Sequence, residues 1–378
     1  MRQIIANHLK NILSWKTNRK FVVISVDDYG NVRTDSKGAI ERMMASGLQS
    51  KSRFDLLDTL ETREDLEMLY EVLSSVKGSN GKHAVFTPFS IPCNINFEKM
   101  AEDNFEKYTY ELLPQTFEKL TQFYPKAYEN TWDLWQEGIS SGLMAPQFHG
   151  REHFNLKAFT EKLEKNDNEL LTALKNRSNA FISSSGYSTI SYTAAFEFWD
   201  FKENENLLTI LEDGLHNFKK VFGYDSTHFN PPGGREHLSI HSKLAALGVI
   251  SVDNSFIKKE HQGFGKYKTK INRNGTFNSH GLLQLVRNVV FEPNLDSSID
   301  SVGLAMNQID LAFKYNAPVN ISSHRVNFSG FVDSNNRREG LEDLKKLLNR
   351  IVAKYPETEF VSVEELVAIM LKDKGIRS

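Results

Sequence analysis

Phe21-Val22-Val23-Ile24-Ser25-Val26-Asp27-Asp28-Tyr29-Gly30 decides the fold. Five of its first six residues are apolar and mostly β-branched, as in a strand buried on both faces of a parallel sheet. The run then ends in two adjacent carboxylates, an aromatic ring and a glycine. Alternation along a strand starts Asp27 and Asp28 in different directions. A sharp bend at Tyr29-Gly30 lets both reach one crevice at the carboxyl end of the strand, where α/β folds keep their ligands. A turn or helix cap accounts for one such acid and leaves the other unexplained.

Outward from this strand the chain alternates short apolar runs with helical periodicity. Strands are expected at 83–89, 145–149, 249–253, 282–291, 318–324 and 359–363. Residues 36–45, 56–76, 156–175, 205–221, 298–315 and 336–354 have the three- and four-residue apolar spacing of helices. This rhythm implies parallel strands joined by right-handed crossovers. Seven or eight such units favour an α/β fold of the distorted (β/α) barrel type over an open sheet. No Pro/Gly/Ser linker divides the chain, so a single domain over 1–378 is expected. Its excursions fall near 92–142, 184–204 (with Tyr187, Tyr192 and Trp199) and 257–280.

The totals exclude several classes of function. A net charge of −2 over 378 residues provides no basic footprint, so no nucleic-acid partner is expected. Cys93 is the only cysteine, which rules out an intrachain disulfide and a cysteine metal cluster. No run approaches the ~18 apolar residues of a membrane span, and Met1 to Lys20 lacks the pattern of a signal peptide. A cytoplasmic protein is expected. The oligomeric state is not legible. The 26 Phe and 12 Tyr suit a large core, and packing explains most of them better than sugar binding does.

Several strands end in polar or special residues: Asp27-Asp28, His149, Asn230 to Gly234, Asp253 and His324. In a barrel these ends converge on one rim. His149-Gly150-Arg151-Glu152-His153 is the most specific element, because histidines four apart can face the same way. One carboxylate with two imidazoles suits a catalytic zinc or another first-row divalent ion. His237 and His241 repeat the spacing after Gly234, where packing or solvated roles are expected.

This set resembles the polysaccharide deacetylases, the NodB-like carbohydrate esterases. Their paired aspartate followed by glycine is matched by Val26-Asp27-Asp28-Tyr29-Gly30, and their H-[ST]-x-x-H spacing by His149 to His153. Phe229-Asn230-Pro231-Pro232-Gly233-Gly234 lines up with their R-x-P-P-Y-G, and Ile321-Ser322-Ser323-His324 with their last motif. The order agrees across about residues 20–330. Asp-Asp-Tyr-Gly is also similar to the start of the YdjC-like deacetylases, so the resemblance is to a divergent branch.

The resemblance implies a metal-dependent deacetylase acting on an N- or O-acetylated sugar, oligosaccharide or polysaccharide. The implied ion is zinc first, with cobalt, nickel or manganese as alternatives. Asp27 takes the place of the general base and His324 that of the general acid. Asp28, His149 and His153 stand as metal ligands. Asn230, Pro232, Gly233 and Asp253 form the expected substrate-binding set, with the Gly233 N–H directed at the oxyanion. Three departures stand out. Asn230 replaces the arginine that braces the base, Gly233 replaces a tyrosine, and Asp253 lacks the tryptophan of the fourth motif. Arg151, Arg235 and Arg287 are the candidates for the missing brace. The alternatives are a catalytically silent glycan- or metal-binding protein of this fold, and a metal hydrolase of another C–N bond.

Overall fold

β1 (Lys20–Tyr29) lies inside a ten-stranded sheet. The structure, a computed structural model, describes residues 2–184, 190–296 and 298–376. The other strands that frame the site are β2 (Phe86–Ser90), β3 (Gln147–Phe148), β4 (His228–Phe229), β5 (Ser251–Asp253), β6 (Leu283–Leu285), β7 (Val289–Val290) and β8 (Val319–His324). Their order is β6-β5-β4-β3-β2-β1-β8-β7, with every neighbouring pair parallel. These eight strands curl into a barrel, open where β6 and β7 do not pair among the described residues. β9 (Thr358–Phe360) adds to the first residues of β1, and Thr276–Phe277 pairs antiparallel with β6.

The opening corrects one expectation. Residues 282–291 are not one strand but two short ones, with Val286, Arg287 and Asn288 between them. Asn288 explains the break. Its side chain donates to the Pro318 carbonyl at 2.9 Å and accepts from the Asn320 N–H at 2.8 Å, so a side chain occupies the ladder position there.

Alternation along β1 sorts its residues. Val22, Ile24 and Val26 pack outward against the surrounding helices, while Phe21 and Val23 face an inner cluster with Phe89, Leu283 and Leu285. The helix Val363–Asp373 closes that inner cluster with Leu366, Val367 and Met370. Asp27 continues the inward series and so points into the barrel. Asp28 reaches the same side by another device. Three steps along β1, from Val26 to Tyr29, match two along β2, from Pro88 to Ser90, which is a β-bulge. Asp28 takes a left-handed φ of +77° inside it.

Two excursions contain local strands rather than helix or coil alone. Cys93–Ile95 pairs with Tyr110–Leu112, and Ile257–His261 pairs with Tyr267–Ile271. Trp135 is fully buried and Trp132 packs against the core, as expected of packing residues. Tyr187, in the excursion at 184–204, lies outside the described residues. No helix among the described residues is long and apolar enough to cross a membrane.

Candidate functional site

The carboxyl ends of β1, β3, β4 and β8 meet at a cavity of about 470 Å3. Asp28 Oδ1 lies 3.0 Å from His153 Nε2 and 3.6 Å from His149 Nε2. One ligand atom from each of the three falls within 4.8 Å of the others. His149 donates from Nδ1 to the Asn230 carbonyl at 2.7 Å. Its Nε2 is therefore the lone-pair nitrogen, and it is buried without a hydrogen-bond partner. Burial opposes the charge of Asp28, but His153 and His149 outweigh it and hold the carboxyl well below its usual range. Burial, outweighing Asp28, lowers the pKa of His153. An ionised carboxylate beside a buried imidazole nitrogen with a free lone pair, with His153 in reach of the same oxygen, is the kind of donor set a divalent ion requires.

The loop carrying both histidines follows from its sequence. Gly150 has φ +107°, and a Cβ there would meet the Glu152 carbonyl at 3.0 Å and Pro232 Cγ at 3.3 Å. A hydroxyl-bearing residue does not fit, which explains the glycine in the second motif. Glu152 accepts from Arg151 Nε at 2.6 Å and from the Tyr108 hydroxyl at 2.7 Å, anchoring the loop from below.

Asp27 stands beside this cluster with different partners. Arg287 Nη2 donates to its Oδ1 at 2.7 Å and Nη1 to its Oδ2 at 2.9 Å, while Asn230 Nδ2 donates to Oδ1 at 2.9 Å. Arg287 Nε in turn donates to Asp253 at 2.7 Å, and the guanidinium lies 4.8 Å from the Phe89 ring centre. The brace is therefore Arg287, and it enters through the gap between β6 and β7. Arg151 is taken up by Glu152 and Asp213, and Arg235 by Glu197.

β8 pairs with β1 so that His324 sits opposite Asp27. His324 Nε2 is 3.8 Å from Asp27 Oδ2, and its Nδ1 bonds Glu292 Oε1 at 2.6 Å. Glu292 is held by Arg53 and by Asn327 Nδ2 at 2.8 Å. Burial disfavours the imidazolium. The Glu292 hydrogen bond and the charges of Asp27, Asp28 and Glu292 outweigh it, and the pKa rises to about 9. Phe54 meets the His324 ring edge-on at 5.2 Å.

A folded pKa raised above the usual 6.5 contributes stability below pH 6.5 that is lost as pH rises through about 9. Glu292→Gln removes the main source of the increase. His324 in the metal-free variant is expected to titrate well below 9 by NMR, with a flatter stability profile between those limits. An unmoved imidazole titration contradicts the pairing.

Asn230 and Gly233 line the cavity, as do Arg33 and Phe54, which the sequence did not single out. Two expected substrate residues lie elsewhere. Pro231 rather than Pro232 faces the cavity, because Pro232 packs behind Gly150. Asp253 is buried on Arg287 and His228, not at the cavity wall. His237 and His241 pair with Glu260 and Glu236, away from the cluster.

The sequence matches no protein-family model and no curated relative. The fold is similar to a candidate glycoside hydrolase/deacetylase from Parabacteroides distasonis, with a TM-score of 0.50 at 10% identity, over 95% of this chain and 73% of that one. A candidate polysaccharide deacetylase from Mycobacterium smegmatis superposes with a TM-score of 0.43 at 10% identity, over 97% and 95%. The 4-alpha-glucanotransferase of Thermococcus litoralis matches with a TM-score of 0.46 at 10% identity, over 93% of this chain and only 40% of that enzyme. The chain has the curled parallel-sheet fold of the glycoside hydrolase/deacetylase barrels, in a version sharing 10% of its residues with the Parabacteroides protein.

Proposed function

We propose that the protein is a divalent-metal-dependent deacetylase that hydrolyses N- or O-acetyl groups of a sugar, oligosaccharide or polysaccharide. The observation that carries this reading is the separation of two carboxylates by role. Asp28 shares a buried, lone-pair-bearing cluster with His149 and His153, while its neighbour Asp27 is turned to a guanidinium and an amide. Asp28, His149 and His153 would hold the ion, zinc first for this ligand set and cobalt, nickel or manganese next. When bound, such an ion polarises the acyl carbonyl and acidifies water toward pKa ~7.

The chain's own groups do the rest. Asp27, fixed by Arg287 and Asn230, accepts the proton of the attacking water as general base. His324, protonated and aligned by Glu292, delivers a proton to the leaving nitrogen or oxygen. The Gly233 N–H is the candidate donor to the oxyanion, a contact of a kind that typically contributes ~3 kcal/mol. Arg287 also gives Asp27 the guanidinium that Asn230, standing at the place of the third-motif arginine, does not supply.

Elemental analysis of the purified protein tests the metal half of this reading. About one zinc or related ion per chain is expected, and none in His149→Ala, which loses one of three protein ligands. Acetate release from a panel of acetylated sugars tests the chemical half, with non-sugar amides as the comparison. A metal-loaded protein that releases no acetate from any sugar sinks the deacetylase assignment and leaves the ion site standing.

A further inference from the structure

A second cavity, of about 540 Å3, adjoins the first across Gly233, Gly234 and Ser255. Its outer wall is the hairpin of Ile257–His261 and Tyr267–Ile271, which does not belong to the barrel sheet. The hairpin is firmly seated. Lys258 turns inward to the buried Glu236, and Glu260 is held by Lys270 at 2.6 Å. His261 is sandwiched between the stacked rings of Phe198 at 5.0 Å and Tyr267 at 4.9 Å.

Strand alternation then decides what the cavity presents. Inward cations are matched by carboxylates, and at the wall Arg235 is matched by Glu197 at 3.0 Å. Lys259 lines the cavity and is exposed, and it forms no ion pair among the described residues. Tyr267 is 53% exposed while one face of its ring is covered by His261, so the other face is open to a ligand. A flat ring beside one uncompensated cation, Lys259, fits a sugar ring that carries negative charge.

We propose that this second cavity is a subsite for an acidic sugar unit of the glycan whose acetyl group enters the first, with Lys259 meeting the anion and Tyr267 supporting the ring. The inference rests on the deacetylase reading for the role of the first cavity. Its test does not depend on turnover.

NMR titration of the metal-free protein with tetragalacturonate and with neutral chitotetraose provides the comparison. A sulfated tetrasaccharide as a third arm separates carboxylate from sulfate recognition. The acidic ligand is expected to bind about tenfold tighter than the neutral one, with affinity falling as salt rises. Lys259→Glu is expected to abolish that preference, and Tyr267→Ala to weaken acidic and neutral ligands alike, by up to about tenfold. Equal affinity for acidic and neutral ligands, or no change in Lys259→Glu, overturns the assignment. Tetragalacturonate bound at the hairpin by a protein that releases no acetate keeps the subsite and sinks the deacetylase reading. Acetate release with unchanged KM for an acetylated oligouronate in Lys259→Glu does the reverse.

Discussion

Arg287→Met is expected to lower acetate release by about a hundredfold or more and to cost ~3–5 kcal/mol of folding stability. Both effects have one origin, since a single guanidinium holds two carboxylates. Without it Asp27 keeps only the Asn230 amide and loses the bidentate pair that aims it. Asp253, buried, keeps only His228 at 3.5 Å. Burial opposes the charge on Asp253, and Arg287 followed by His228 outweighs it, so its pKa lies below the usual 3.8.

The sign of the pH dependence follows. In the natural protein, Asp253 contributes stability above about pH 4 that is lost as pH falls through its lowered pKa. In Arg287→Met its pKa rises above the usual value, so the variant loses stability as pH rises from about 4. The gap between the two proteins is expected to widen from pH 4 to pH 7 in denaturant titrations. Adding Asp253→Asn removes the buried charge and restores part of the stability, while acetate release stays low because Asp27 is still unaimed. Recovery of activity in the double variant shows instead that Arg287 matters only to folding.

That pair also shows where the sequence stops being readable. The β1 run announces itself because a doubly buried strand must be apolar, and two acids at its end are conspicuous. The spacing of His149 and His153 survives because it is local. Arg287 and Glu292 carry no such local mark. They gain their roles from a break in the sheet that periodicity reads as one continuous strand over 282–291. The break depends on Asn288 filling a ladder position opposite β8, a long-range contact that spacing does not encode. The bulge is similarly silent, since nothing in Asp27-Asp28-Tyr29 shows that β1 spends an extra residue against β2. Pro231 and Pro232 exchange places for the same reason, because adjacent residues face opposite ways and only the register chooses between them.

Arg325, the residue after His324, shows how the rim itself is held. It is fully buried, donating to Asp58 at 3.0 Å, to Glu61 at 2.9 Å and to the Asn31 carbonyl at 2.7 Å. Glu61 also accepts from the Gly30 N–H at 3.2 Å and from Trp135 Nε1 at 3.0 Å. The turn leaving β1 and the turn leaving β8 are thereby tied through one ion-pair network directly beneath Asp28 and His324. Burial raises the pKa of both Asp58 and Glu61 despite Arg325. Arg325→Met leaves two buried carboxylates without a cation and is expected to cost ~3–5 kcal/mol. Raised carboxylate pKa values make that loss grow as pH rises from about 4, since ionisation is what the folded state then resists. Combining Arg325→Met with Asp58→Asn and Glu61→Gln removes the charges and keeps acceptors for Gly30 and Trp135. Most of the stability is expected to return, with acetate release still depressed because the Asn31 carbonyl has lost its donor and the two turns are no longer joined. A triple variant with natural activity separates the network from the site, leaving Arg325 a role in folding alone.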